Sequence, residues 1–333
     1  MRAPELPTVF SRSQANALGI GDVRLAGLVR RGDVVRLRPG MYAAARVGPV
    51  PPDEIAARHV VCVRAALSHH QSGFAASHLS AAALHGLPLP PGGSSHVHVT
   101  AVDANQRSRF APGVRVHHAD SSPTDVTHVD GVTLTSVART VADCLRIWGP
   151  ETSVALADAA LHRGLLTPEE LMEQLDRQRH WRGRPRALRS LRIVDGRRES
   201  WLESYAFVTF DEWGLTLPEP QIWVETQNGD ALGRVDGAWI EDATVLELDG
   251  AGKYLIDRDD DVDPWARWRV EKSRYDAMGN LGLERVRLTY DDLRGHPTQS
   301  RRVIQLRRAA GSPRRFIGTF RRTDASGLRC LSV

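Results

Sequence analysis

Lysine is almost missing from this sequence. Of its 44 basic residues only Lys253 and Lys272 are lysine, and the remaining 42 are arginine. A GC-rich coding bias accounts for most of that preference, although arginine is also the better side chain for forked contacts to phosphate and guanine. Cysteine is scarce too: Cys62, Cys144 and Cys330 show no CxxC spacing. That argues against a disulfide framework and a zinc site. No apolar run reaches the ~18 residues of a membrane span, because arginine or aspartate interrupts each one. Residues Met1 to Phe10 lack the basic-then-apolar pattern of an export signal, so the expectation is a cytoplasmic protein with no membrane partner. Neither a GxSxG elbow nor a phosphate-binding P-loop is present, which argues against a serine hydrolase and against a nucleotide cofactor.

What remains is ordinary globular material. The 333 residues are 41% hydrophobic and 25% charged, with a net charge of +4. Length alone suggests two or three domains. So small a net charge says little about nucleic acid by itself.

Residues 1–47 read as one small unit. Ser11 is placed to cap a short helix that Gly19 ends, and Asp22 to start a second helix that runs to Arg31 and stops at Gly32. Val23, Leu25, Leu28 and Val29 supply that helix's apolar positions. Two short strands follow around Arg38-Pro39-Gly40. Helix, tight turn, helix and hairpin is the order of a winged helix-turn-helix, whose second helix enters the major groove while the hairpin meets the backbone. Arg24, Arg30, Arg31, Arg36 and Arg38 are therefore the expected DNA-binding residues.

After a proline-rich linker at 48–52, residues 53–195 alternate helices and strands as a mixed α+β middle region. His96 and His98 fall on one strand face and His117-His118 on another, but the sequence places no partner that would complete a metal site. The arginines between Arg177 and Arg198 suit either a solvated helix face or a phosphate-contacting strip. Residues 295–333 carry four Arg-Arg pairs and little apolar periodicity, so a disordered tail is expected.

The chemistry-bearing pattern lies in residues 196–294. Glu241-Asp242 is a natural reversal between two strands, and a turn there puts Asp236 opposite Glu247 and Asp249 opposite Arg234. Val235 with Leu248, and Gly237 with Leu246, would share an apolar face. Paired carboxylates with β-carbons ~5 Å apart repel each other unless a cation or proton lies between them. Such hard oxygen ligands suit Mg²⁺ or Mn²⁺. A helix carrying Glu199 and Glu203 precedes this hairpin, with Leu202, Ala206 and Phe210 as its buried stripe. Lys253 and a helix with Lys272 follow it, and the strand Glu284 to Tyr290 closes the layer.

Glu199-Ser-x-x-Glu203, Arg234-Val-Asp236, Glu247-Leu-Asp249-Gly250, Lys253-Tyr254 and Glu271-Lys272-x-Arg274 resemble the very-short-patch-repair-like endonuclease domains of the PD-(D/E)xK superfamily. The N-terminal unit resembles the DNA-binding domain of AbiEi-type antitoxins from phage-defence toxin–antitoxin systems. Ser77-His-Leu-Ser-Ala-Ala-Ala-Leu-His-Gly and Ser136-Val-Ala-Arg-Thr-Val-Ala-Asp resemble the middle of the same proteins. The resemblance implies a restriction-endonuclease-like α/β domain at the back of a multi-domain α/β chain. It further implies Asp236, Glu247 and Glu203 as metal ligands, with Asp249, Lys253 and Lys272 near the catalytic centre. DNA is the implied partner, together with a cognate toxin or its operator. The usual superfamily lysine position holds Asp249 here, so two readings stay open: a Mg²⁺- or Mn²⁺-dependent DNA hydrolase, or a non-catalytic DNA-binding regulator whose back domain serves binding only.

Overall fold

The computed structural model describes residues 7, 9–44, 52–67, 73–102, 110, 113–250 and 264–324. Lys253 and the acidic run from Asp257 to Asp263 lie outside these residues, as do the side chains of Arg38 and Trp268. The chain forms two compact units: Met1–Trp148 with Glu170–Ala187, and Gly149–Glu169 with Leu188–Val333. No helix among the described residues is long and apolar enough to cross a membrane.

The first unit begins with β1 (Val9–Ser11), α1 (Arg12–Ala17), α2 (Asp22–Arg31), β2 (Val34–Arg38) and β3 (Met41–Ala44). Ser11 caps α1 through a reciprocal capping box with Gln14, which satisfies two otherwise orphaned backbone donors. Gly32 ends α2 at φ 79°, a left-handed conformation that glycine adopts without a β-carbon penalty. The strands pair in the order β1-β3-β2. The strand β1 is an addition to the sequence reading. It carries Phe10 into a core with Ala15, Ile20, Leu25 and Val34, against which Leu28, Val29 and Tyr42 pack. Burying each large member contributes roughly 1.5–3 kcal/mol before entropy is counted. Val23 departs from its expected apolar role: it is 86% exposed.

The unit continues with α3 (Pro52–Leu67), β4 (Phe74–Ala76), α4 (His78–Leu84), β5 (Val97–Ala101), β6 (Val114–His118), β7 (Val126–Val129), β8 (Val132–Thr135) and α5 (Val137–Ile147). Their sheet has the order β6-β5-β4-β8-β7. Beside it Arg139 and Arg146 are buried, and both pair with Asp143, at 2.8 and 2.5 Å. Arg139 also reaches Asp125 at 3.1 Å.

Helices α6 (Pro150–His162), α7 (Pro168–Arg177) and α8 (Arg184–Leu191) follow in the chain. The sequence reading placed 53–195 in one domain, yet Gly149–Glu169 packs in the second unit. Asp158 of α6 is the physical reason. It accepts from Arg198 Nε at 2.8 Å, from Asp195 N at 2.8 Å and from Ser204 Oγ at 2.6 Å. Arg197 is likewise buried, against Asp195 and Glu219. These two arginines are therefore ion-paired structural groups and take no part in a phosphate-contacting strip.

The second unit is built from α9 (Trp201–Glu212), β9 (Glu219–Thr226), β10 (Ala231–Trp239), β11 (Thr244–Asp249), α10 (Pro264–Asn280), β12 (Glu284–Thr289), α11 (Tyr290–Gly295), α12 (Pro297–Ala310) and β13 (Gly318–Arg322). The sheet order is β12-β11-β10-β9-β13, with β11 and β12 parallel. Leu202, Ala206 and Phe210 of α9 do form a buried stripe, in one cluster with Leu246 and Leu248. A second cluster joins Val235, Ile222, Val224 and Met278. The supposed tail is ordered through residue 324: Ile304 of α12 is fully buried, and β13 pairs antiparallel with β9. The apolar positions of α12 are too few to show helical periodicity, which is why sequence alone pointed to disorder.

Candidate functional site

Two regions carry the residues singled out from sequence. The first is the outward face of α2. At 100° per residue, Val23, Arg24, Gly27, Arg30 and Arg31 share the arc opposite Leu25 and Val29. Arg24, Arg30, Arg31 and Arg36 are all exposed. Arg31 pairs with Asp33 at 2.9 Å and passes 3.5 Å from the space a β-carbon on Gly27 would fill. The missing side chain at Gly27 leaves the middle of this face open to a close-approaching surface. Arg12 donates Nε to Asp22 Oδ1 at 2.7 Å, tying the starts of α1 and α2 together. Together these features give a basic helix face of fixed orientation with one protruding apolar side chain, Val23.

The second region is where β10 and β11 part. Glu241 and Asp242 form a 3₁₀ turn, closed by Ala243 at φ 47°. The expected register holds from there: Trp239 pairs with Thr244 and Gly237 with Leu246. Regular pairing then ends. One residue further, Asp236 sends its carboxylate across the gap to accept Leu248 N at 2.6 Å. The strands have splayed, so Val235 and Leu248 pack in separate clusters and not on the single apolar face expected of them.

Glu203 is buried and its carboxylate is heavily used. It accepts Ser200 Oγ at 2.7 Å, Glu199 N at 3.1 Å and Gln221 Nε2 at 2.7 Å. Burial pushes its carboxyl up from the usual range, and the neighbouring charge of Asp236 pushes it the same way. Gln221 stands at φ 54°, a left-handed position uncommon for a residue with a side chain. Glu247, also buried, meets Arg274 Nη2 of α10 at 3.1 Å.

Three expectations about neighbours change. Arg234 pairs with Glu199 at 2.8 Å and not with Asp249. Asp249 meets Arg287 of β12, its near neighbour across the parallel strand pair. Lys272 is exposed and lies two positions, about 200° round α10, from Arg274, which meets Glu247. Arg274 stands in the Glu271-Lys272-x-Arg274 motif, where the resemblance gives it no role. Its signal was the helical spacing from Met278, which sets one face of α10 on the sheet.

Three carboxylates are a donor set that suits a hard divalent cation in chemical terms. Their spacing is another matter. Among the described residues, the group of three potential ligands whose atoms all lie within 4.8 Å of one another is His78, His98 and His117. Glu203, Asp236 and Glu247 do not form such a group among the described residues.

The comparison with known proteins bears on the first region. Residues 6–45 match the family described as "Transcriptional regulator, AbiEi antitoxin". This end of the chain is AbiEi-antitoxin-like. The matched span coincides with the helix-turn-helix and its hairpin, the part that carries Arg24 and Arg36. Over a longer stretch the chain is similar to two uncharacterized proteins of Mycobacterium tuberculosis, one from strain CDC 1551 / Oshkosh and one from strain H37Rv. Each is 29% identical over 274 residues, covering 81% of this chain and 90% of the relative.

Proposed function

We propose that this chain is a DNA-binding transcriptional regulator of the antitoxin kind, reading duplex DNA through its N-terminal winged helix. One observation carries the reading: the AbiEi-matched segment folds into a helix-turn-helix and hairpin whose basic face, with Arg24, Arg30, Arg31 and Arg36, points outward. In that mode α2 enters the major groove, where arginine forks reach guanine edges and Val23 offers an apolar contact for a thymine methyl. Arg36, with Arg38 beside it in sequence, meets the phosphate backbone from the hairpin. Cytoplasmic DNA is the partner, and a cognate toxin is the second partner that an antitoxin role brings. Selection of bound fragments from a sheared genomic library by the full chain, beside Arg24→Ala with Arg36→Ala, tests this. Enrichment of defined sites by the wild type alone supports it, and no enrichment by either protein refutes it.

A second reading is favoured by the nearness of the Asp236 charge to the buried Glu203 carboxyl, since two neighbouring carboxylates are a pair that a bound cation stabilises. Here the back domain is a PD-(D/E)xK-like hydrolase with Glu203, Asp236 and Glu247 as ligands of Mg²⁺ or Mn²⁺. Such an ion would polarise a phosphodiester and activate water. Arg274 would have to leave Glu247 for the ligand set to close. Nicking of supercoiled plasmid with Mn²⁺, abolished by EDTA and by Glu247→Ala, supports this reading. Cutting that survives Glu247→Ala removes it.

A further inference from the structure

A cluster of three histidines in the first unit lies away from both regions above. The strands β5 and β6 run parallel with Thr100 beside His117, so His98, two residues before Thr100, sits diagonally from His117 on the same face. His98 Nδ1 and His117 Nε2 face each other at 3.0 Å. The helix α4 starts against them with His78, whose backbone is held at φ 53°. Its ring stacks on His117 with centroids 3.9 Å apart. A side chain held in the left-handed region at the first position of a helix is unusual, and such strain persists only where surrounding contacts enforce it. Here it turns His78 into the cluster.

We propose that His78, His98 and His117 form a binding site for a divalent transition-metal ion of the zinc class, with the fourth position open to the adjoining cavity. Each imidazole offers one nitrogen, and the three lie within 4.8 Å of one another. Two nitrogens bound tetrahedrally at ~2.0–2.1 Å stand about 3.3 Å apart. The 3.0 Å approach of His98 and His117 is close to that spacing before any ion is present. His78 has its Nδ1 at Ser77 Oγ, 2.9 Å away, which leaves Nε2 as the nitrogen to bind. Outer partners of this kind fix the ring and its tautomer in metal sites.

The surroundings fit the same reading. Trp148 closes one side, edge-on to His98 at 5.1 Å and tilted against His78 at 5.5 Å. His78 and His117 also line a cavity of about 600 Å³ together with Thr100, Asp120 and Asp143. Thr100 Oγ1 is buried there with no hydrogen-bond partner in the protein. A ligand on the metal's open position would supply one. Imidazole nitrogens select zinc, copper or nickel over the hard ions that the carboxylates of the second unit suit, so the two sites take different metals.

The test is a Co²⁺ titration of the full chain after chelator treatment, read by the visible d–d absorption of tetrahedral cobalt, with Zn²⁺ competition and metal analysis. The expected result is saturation at one ion per chain and displacement by Zn²⁺. His117→Gln, at the cavity mouth, is expected to lower affinity at least tenfold, and Ser77→Ala to lower it about tenfold. Absence of the tetrahedral band in the wild type overturns the proposal without reference to any variant. So does a band that survives both His117→Gln and His98→Ala in proteins whose melting shows them folded.

Discussion

Arg274 reaches from α10 to set its Nη2 3.1 Å from Glu247 Oε1, so a guanidinium stands beside the buried carboxylate that sequence pattern assigned to a metal. Arg274 also approaches the carbonyl of Arg234 at 3.4 Å and lies over the ring of Tyr275 at 4.8 Å. It thereby bridges β10, β11 and α10 at the point where the strands part.

Arg274→Ala is accordingly expected to remove a charged hydrogen-bond donor from the buried Glu247 and to destabilise the second unit by about 1–3 kcal/mol. Thermal melting checks the loss. Added Mn²⁺ should recover more of the variant's Tm than it adds to the wild type, because the ion can take the place the guanidinium vacates. Equal Mn²⁺ effects on both proteins would speak against any cation site at Glu247.

A larger stability effect is expected at Asp158. Both it and Arg198 are almost fully buried, and the carboxylate also receives Asp195 N and Ser204 Oγ. Removing one member of such a pair strands the other, at a cost of about 3–5 kcal/mol. Asp158→Ala should therefore lower the denaturation midpoint of the second unit sharply, and an unchanged midpoint would contradict the packing of α6 against α9.

The N-terminal helix pair offers a local test. Ser11→Ala removes the cap of α1 and should cost about 1 kcal/mol, visible as earlier melting of the N-terminal unit. Gln14→Ala should cost less, since it removes only the reciprocal bond to Ser11 N.

Much of this architecture was legible because its signals are local. Ser11, Gly32 and the Glu241-Asp242 reversal each mark an element boundary through backbone chemistry within a few residues, and the elements begin or end there. The register joining Gly237 to Leu246 followed from the turn alone. Contacts between distant segments were not legible. Which strand end splays, which basic side chain reaches Glu247 and which acid meets Arg198 depend on how layers stack. His78, His98 and His117 come from a helix start and two strands, and no spacing in the chain announces their meeting. Strand β13 was hidden because Gly318 to Arg322 is mostly polar and pairs at a sheet edge.

Val23 and Arg24 adjoin on the outward face of α2, and they should separate two contributions to DNA binding. Val23→Ser is expected to weaken preference for the selected site by about 1–3 kcal/mol while leaving the salt dependence unaltered. Loss of a phosphate-contacting arginine should instead reduce the slope of log affinity against log salt by about 0.9. Fluorescence anisotropy on specific and scrambled duplexes distinguishes the two.

The central claim is that the basic face of the winged helix binds duplex DNA. It is tested most directly by the anisotropy of a labelled duplex titrated with the full chain at several salt concentrations, beside the Arg24→Ala, Arg36→Ala double variant. The account predicts tight, steeply salt-dependent binding by the wild type and at least a tenfold loss in a double variant that melts like the wild type. Equal affinity of the two proteins, or no binding by the wild type at low salt, would contradict it.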